Sequence, residues 1–184
     1  MDANSVNMQH VFQRTSILMV VEGFPAQEDT FADLAPDSLF MQNTIKAFQD
    51  AGFQTTDFRS VIDLGFYVIA AVKEPRPGDR MPSLLIKKHN ASLEEVLSRF
   101  VNLRAILLMG DTAISAINMI ARRRYGKRCI PAGSTYKIRH GEYFLGKLRV
   151  FPSYLHTGKN YLIERSKQAM VADDIQRAFK YLEN

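Results

Sequence analysis

Side chains capable of acid–base chemistry directly follow the first apolar run of this sequence. The run SILMVV (Ser16–Val21) is followed by Glu22, Gly23, Phe24 and Pro25, and then by Glu28, Asp29 and Phe31. A carboxylate at such a place is a candidate general acid or base, and Gly23 lets a ligand approach the backbone closely. Phe24 or Phe31 offers a face for stacking, and Pro25 stiffens the loop. We interpret this segment as one wall of a ligand crevice.

Three later loops add candidate binding groups, each after another apolar run. A stiff Pro-Arg-Pro turn carries cations suited to phosphate oxygens: Lys73, Arg76 and Arg80. A second loop opens a helix with Gly110, Asp111 and Thr112, and a third contains Ser153, His156, Thr157, Lys159 and Asn160. A histidine in such a loop can donate a hydrogen bond to a developing anion. The alternative for these loops is structural: a solvated carboxylate, an exposed turn, a helix cap and an ordinary loop histidine.

Apolar periodicity predicts the elements that must position these loops. The sequence indicates four buried strands, at Ser16–Val21, Gly65–Val72, Ala105–Met109 and Leu148–Phe151. Amphipathic helices are expected between them: one capped at Ser38, one starting at a capping box at Ser92, one after Gly110 and a last one with Ile163 on its apolar stripe. This alternation predicts a three-layer α/β/α fold around a central, mainly parallel four-stranded sheet. Ligands of such sheets bind at the carboxyl ends of the strands, where the four loops begin.

Length and composition favour one globular unit. The chain has 184 residues, 46% of them hydrophobic and 23% charged, which predicts an N-terminal extension at 1–15 and a single domain at 16–184. No apolar stretch is long enough to span a bilayer and the N-terminus does not resemble a secretion signal, so we expect a cytoplasmic protein with no membrane partner.

Several site classes lack their sequence signatures. One cysteine, Cys129, excludes an intrachain disulfide and a four-thiolate cluster, and the histidines have no zinc spacing. A Gly-x-Gly-x-x-Gly fingerprint, a Walker loop and a Gly-x-Ser-x-Gly elbow are also missing. We therefore expect no metal and no cofactor.

Positive charge is concentrated in two segments. The net charge is +5 with a pI near 9.4. One cluster holds Arg122, Arg123, Arg124, Lys127 and Arg128; the other holds Lys137, Arg139, His140, Lys147 and Arg149, with aromatic residues interleaved. Cations beside aromatic rings suit a nucleic-acid surface. The alternative is a solvated basic helix end followed by a hairpin.

Taken in order, the four loops resemble the uracil-DNA glycosylase superfamily, especially its bacterial and archaeal iron–sulfur-type branch. VVEGFPAQED resembles a Gly-Glu-x-Pro-Gly motif followed by acids, and AAVKEPRPGDR resembles a Val-Lys-x-x-Pro-Pro-Gly-Asn-Arg stretch. LLMGDTAISAI resembles a Leu-Gly-x-x-Ala-x-x-x-Leu element, and FPSYLHTGKN a Pro-Thr-Tyr-His-Pro segment. The resemblance covers roughly residues 16–180.

The resemblance implies hydrolysis of the N-glycosidic bond of a base rotated out of DNA. His156 would donate to the base, and Glu22 or a water held by the first-loop backbone would be the acceptor near the attacking water. Base contacts would come from Gly23, Phe24, Pro25, Phe31 and Ala70. DNA contacts would come from Lys73, Arg76, Ser153, Thr157 and Lys159, and the basic cluster adds Arg122, Arg123 and Arg124. We expect DNA as the partner and a monomeric protein.

The motifs also differ from the family pattern at defined positions. Ala70 stands where the family sets an asparagine that reads the base, and Glu74 stands where the cluster-bearing branch has a cysteine. Residue-for-residue matching puts Leu155 opposite the family histidine, and His156 takes that place after a one-residue insertion. Three functions therefore stay open: a glycosylase with altered base choice, a nucleic-acid-binding member without chemistry, and an unrelated small-molecule α/β protein.

Overall fold

Five strands form one mixed sheet in the computed structural model, which describes residues 7–23, 37–75, 77–78, 80–157 and 159–183. The strands are β1 (Ile17–Gly23), β2 (Phe66–Val72), β3 (Ala105–Met109), β4 (Tyr143–Leu145) and β5 (Leu148–Ser153). Their order in the sheet is β2-β1-β3-β5-β4. All neighbours are parallel except β4, which pairs antiparallel with β5.

Helices cover both faces of this sheet. They are α1 (Met8–Arg14), α2 (Leu39–Asp50), α3 (Phe58–Asp63), α4 (Ser83–Arg99), α5 (Asp111–Tyr125), α6 (Thr135–Ile138) and α7 (Arg165–Glu183). On one face α4 and α5 pack together, and on the other α2 packs against α7 while α3 lies on β2. The α/β/α layers predicted from the sequence are thus confirmed. No helix in the described part of the chain is long and apolar enough to cross a membrane.

The strands β1, β2 and β3 are apolar because helices cover both faces of the sheet. All residues of β2 and β3 are buried, as are the first five of β1. The predicted strand count of four is corrected to five, because Tyr143–Leu145 adds a short edge strand through the turn at Gly146. Three residues are too few for a recognisable alternation, and only Leu145 of the three is buried.

Helix α4 begins nine residues before the start that the sequence predicted. It starts at Ser83 after Pro82, which supplies no side-chain cap, so Ser92 lies inside the helix and the capping-box prediction was wrong. The buried positions Ile86, Asn90, Leu93 and Leu97 keep a helical period. Because Asn90 is polar, the first half of this stripe is not recognisable as apolar.

The first helix belongs to the packed body of the protein. Phe12 meets Phe100 edge to face with 5.0 Å between ring centroids, and the Val101 N–H donates to the Phe12 carbonyl. Residues 8–14 of the predicted extension are therefore helical and pack on the domain. Ile163, predicted on the buried stripe of the last helix, precedes α7 and is 77% exposed.

Candidate active site at the carboxyl edge of the sheet

Four parallel strands end at one edge of the sheet and bring the predicted loops together. Gly23 is opposite Val72, and Met109 is opposite Ser153. The N–H of Gly110 donates to the Ser153 carbonyl over 3.0 Å, which ties the end of β3 to the end of β5. The loops after β1, β2, β3 and β5 thus start side by side.

Glu22 lies at the centre of this edge. A Cβ atom built on Gly110 would be 3.1 Å from Glu22 Oε1 and 3.3 Å from Leu155 Cβ. Gly110 has φ +96° and ψ 174°, a conformation that is essentially restricted to glycine. Glycine is therefore favoured here for two reasons: the backbone turn into α5, and the close approach of the Glu22 carboxylate and Leu155. Glu22 itself is half-buried.

The loop after β2 lies against the end of β1. A Cβ atom on Gly23 would be only 2.7 Å from the Glu74 carbonyl oxygen and 3.0 Å from Met81 Cε. The Glu74 carboxylate accepts hydrogen bonds from Lys88 Nζ (2.7 Å) and pairs with His89 Nε2 (2.8 Å). The bond from Lys88, followed by that from His89, lowers the pKa of Glu74. This arrangement fixes the backbone beside Lys73, whose side chain is exposed at the edge.

His156 points away from the edge, into the helix layer. The ring is fully buried, and Nε2 lies 2.9 Å from Thr44 Oγ1 on α2. The Thr44 hydroxyl donates its proton to the Phe40 carbonyl over 2.8 Å, so His156 Nε2 must be the donor to Thr44. Burial lowers the pKa of His156 to about 4, and the ring is therefore neutral at pH 7.

Two polar atoms of this buried cluster have no hydrogen-bond partner among the described residues: His156 Nδ1 and the Tyr161 hydroxyl. The two rings are perpendicular, with 6.3 Å between their centroids. Burial raises the pKa of Tyr161. The donor role that the resemblance implies for His156 has no exposed N–H here, because Leu155 faces Gly110 while His156 packs beneath it.

Ser153 is also turned away from the edge. Its hydroxyl donates to Asp174 Oδ2 over 2.7 Å, and both residues are fully buried. Arg139 binds the same carboxylate through Nε (3.2 Å), and Arg177 approaches it at 3.4 Å. Burial raises the pKa of Asp174, against the opposing effects of Ser153 and Arg139. The network anchors the end of β5 to α7, and the DNA contact predicted for Ser153 lacks an accessible hydroxyl.

Ala70 is buried in β2 and lines a cavity of about 380 Å³ along the outer edge of that strand. The cavity extends between α4 and α1, past Phe12 and Phe100, and reaches Lys73 at one end. Its lining is mostly apolar. The cavity lies beside β2 rather than in front of Glu22, so it is not the crevice that the loops predict.

The remaining site predictions fall partly outside the described residues. Those without a described structure are Phe24, Pro25, Phe31 and Arg76, together with Glu28 and Asp29. Thr157 is half-buried, and Lys159 starts a 3-10 turn (Lys159–Leu162) in which its side chain is not described. The aromatic face expected from Phe24 or Phe31 stays a prediction.

The three arginines predicted to contact DNA lie at the far end of α5. This helix of 15 residues starts at the carboxyl edge, and its last turn is roughly 21 Å away at the usual rise per residue. Arg123 and Arg124 both bind the Glu94 carboxylate of α4. Arg122, Arg123 and Arg124 are therefore separate from the candidate active site.

Two residues that support the site were missed in the sequence. Thr44 holds His156, and Asp174 holds Ser153. Each interrupts an apolar stripe: Thr44 lies between Met41 and Phe48 on α2, and Asp174 lies beside Ile175 on α7. A polar side chain at a buried helical position was the available signal, because burial requires a partner for it.

The described residues contain no group of three His, Cys, Asp or Glu side chains that could hold a metal ion. Comparison with known proteins adds no family assignment: no family model matches the chain, and no curated protein matches its sequence.

Proposed function

We propose that this protein hydrolyses the N-glycosidic bond of a base rotated out of DNA, as its resemblance to the uracil-DNA glycosylase superfamily implies. The observation that carries the proposal is the position of Glu22, whose carboxylate lies against Gly110, beside which Leu155 also packs, where four strand-end loops begin. A carboxylate at the carboxyl ends of parallel strands, where ligands of such sheets bind, is suited to acting on water.

The proposed chemistry uses Glu22 as the general base. Water adds to the anomeric carbon of the sugar and gives a proton to Glu22, while the electron pair of the breaking C–N bond leaves with the base, which takes a proton from solvent. The sugar becomes cation-like as the bond breaks, and a nearby carboxylate favours that charge. Lys73, exposed at the same edge, supplies positive charge for a phosphate.

In this proposal His156 positions the loop rather than touching the base. The hydrogen bond between His156 and Thr44 attaches the segment that contains Leu155 to helix α2. Leu155 then presents an apolar surface next to Glu22. This assignment uses the residue-for-residue match, in which Leu155 takes the place of the family histidine.

The test is incubation with labelled oligonucleotides that contain uracil, hypoxanthine or a mismatched thymine, followed by alkaline strand scission. We expect product from at least one of them and a loss of at least a hundredfold in kcat for Glu22→Gln, since an amide does not accept the proton. Glu142→Gln, which alters an exposed carboxylate before β4, is the matched control and should change the rate less than twofold. Equal rates for both variants would remove Glu22 from the mechanism.

A second function is favoured by the burial of His156 and by Ala70, which leaves no side-chain donor at either position that the family uses to read a base. This second function is nucleic-acid binding by a protein of the same fold that does not hydrolyse the N-glycosidic bond. DNA binding that weakens with salt, without product from any of the three oligonucleotides, would establish this alternative.

A further inference from the structure

The end of α5 meets the turn between β4 and β5. A Cβ atom built on Gly146 in that turn would be 2.6 Å from the Tyr125 hydroxyl oxygen. The last turn of α5, the following loop and the hairpin turn thus lie together at the amino end of the sheet. We call their exposed cationic and aromatic side chains the basic turn surface, which comprises Arg122, Tyr125, Lys127, Arg128, Phe144 and Lys147. Phe144, two residues before Gly146, pairs with Arg149 and lies on the side of the hairpin that bears Phe151.

Its four cations are exposed and have no ion pair among the described residues. Arg123 and Arg124, by contrast, are held by Glu94 on the neighbouring side of α5. Burial acts to raise the pKa of Glu94, but the hydrogen bonds from both arginines outweigh it and lower that pKa. The cluster therefore divides into two arginines that link α5 to α4 and four cations whose charge faces solvent.

The two rings are half-exposed, Tyr125 at 50% and Phe144 at 47%. Phe144 lies over the Arg149 guanidinium, with 5.3 Å between the Arg149 Cζ atom and the ring centroid. Arg149 is itself buried and donates to the carbonyls of Tyr143 (3.0 Å), Val150 (3.0 Å) and Gly141 (3.1 Å). The Phe144 ring is thus supported by a fixed cation, and nearly half of the residue remains exposed.

We infer that the basic turn surface binds single-stranded nucleic acid. Exposed cations neutralise backbone phosphates, and an aromatic face stacks with an unpaired base whatever its identity. A duplex keeps its bases stacked inside, so it would use the four cations but not the rings. An anionic membrane would attract the same cations without a stacking geometry.

The inference is independent of base excision. The basic turn surface and Glu22 lie at opposite ends of α5, roughly 21 Å apart. Single-stranded oligothymidylate is therefore the probe, because it contains neither uracil nor hypoxanthine nor a mispaired thymine, the bases tested as substrates of the proposed glycosylase. Its binding reports on the surface whether or not Glu22 is catalytic.

The charge test compares two variants that each lose two exposed cations. Lys127→Ser with Arg128→Ser should weaken oligothymidylate binding about tenfold at low salt, and should reduce the slope of log K against log salt by about 1.4. Arg59→Ser with Lys87→Ser removes the same charge from α3 and α4 and should change affinity less than twofold. Equal losses in both variants would overturn the inference, because binding would then depend on net charge alone.

The ring test separates a single strand from other polyanions. Phe144→Leu keeps an apolar contact with Arg149 but removes the aromatic face, and we expect at least a fivefold loss for oligothymidylate with an unchanged salt slope. Tyr125→Ser should act alike, whereas Tyr136→Ser, which alters a ring 68% exposed on α6, should have no effect. Thermal melts check that each variant is folded.

Two results would overturn the assignment to single strands. One is unchanged oligothymidylate binding in both ring variants. The other is a loss of duplex binding, or of binding to phosphatidylserine vesicles, as large as the loss for oligothymidylate when Phe144 becomes leucine.

Discussion

At the carboxyl end of the sheet, buried polar groups and close-packed glycines hold the backbone, whereas at the amino end exposed cations surround two half-exposed rings. Glycine shows the contrast most clearly. Gly110 precedes α5, and Glu22 and Leu155 pack tightly against the position that its Cβ atom would take. Gly126 follows the same helix, and no described atom lies within 4 Å of the position that its Cβ atom would take. Close packing thus characterises the carboxyl end of the sheet, and exposed positive charge characterises the amino end.

This difference follows from the architecture of a parallel sheet. Chain segments that leave the strands must turn at the carboxyl end, so backbone groups and glycines collect there. Helices that return across the faces finish at the amino end, where cations in their last turn complement the helix dipole. Arg122, Arg123 and Arg124 are such residues. The helix dipole therefore gives a structural reason for the arginines in the last turn of α5, in addition to the binding role that we propose for the basic turn surface.

The largest expected effect compares a fully buried carboxylate with a partly buried one whose partners are exposed. Asp174→Ala removes the partner of buried Arg139 and Ser153, and we expect the free energy of unfolding to fall by about 3–5 kcal/mol. Glu94→Ala, at the other end, removes a carboxylate whose two arginines are exposed and should cost no more than about 1 kcal/mol. Urea denaturation measures both. Similar losses would mean that the two ends do not differ in this way.

The second effect is a pH dependence of stability caused by His156. Its pKa is about 4 in the folded protein and near the ordinary 6.5 in the unfolded chain. As the pH falls from 6.5 to 4, the unfolded chain takes up a proton that the folded protein does not, so the free energy of unfolding decreases, by on the order of 3 kcal/mol.

Equilibrium denaturation across that pH range is the measurement for this effect. His156→Leu should flatten the dependence in this window, while His10→Leu, at an exposed histidine, should leave it as in the unchanged protein. A dependence of unchanged size in His156→Leu would show that groups other than His156 cause it.

The smallest effect compares the loss of stability caused by replacing each of the two glycines that flank α5. Gly126→Ala should destabilise by roughly 1 kcal/mol, since only a left-handed backbone (φ +71°) opposes it. Gly110→Ala should cost roughly 2–3 kcal/mol, because its backbone conformation is less accessible to alanine and its Cβ atom would crowd Glu22. Thermal unfolding of the two variants gives the difference. Equal costs would argue against close packing of Glu22 on Gly110.

The sequence predicted the strands well because each is a short buried run. Ala105–Met109 has the predicted bounds, and β1, β2 and β5 differ by no more than two residues at either end. It did not predict the start of α4, since the local Ser92 motif resembles a capping box wherever it occurs. Nor did it predict β4, because a three-residue edge strand depends on the neighbour with which it pairs.

For the candidate site, the sequence indicated which loops meet but not which way their side chains point. Glu22 and Gly110 come together as strand order and register require. The orientations of Leu155 and His156 are opposite to those that the chemistry of the two residues suggested. Adjacent residues in a loop often point in different directions, and only the packing of α2 on this loop determines which of them is buried.

The sequence by itself determined the layered α/β architecture, because apolar runs and helical stripes specify which surfaces must be buried. It also determined the presence of a basic, aromatic segment. Tertiary structure alone decided that this segment lies at the opposite end of the sheet from Glu22, that Glu94 holds two of its arginines, and that His156 is a neutral core residue. These properties depend on contacts between residues far apart in the chain, and local sequence patterns do not record such contacts.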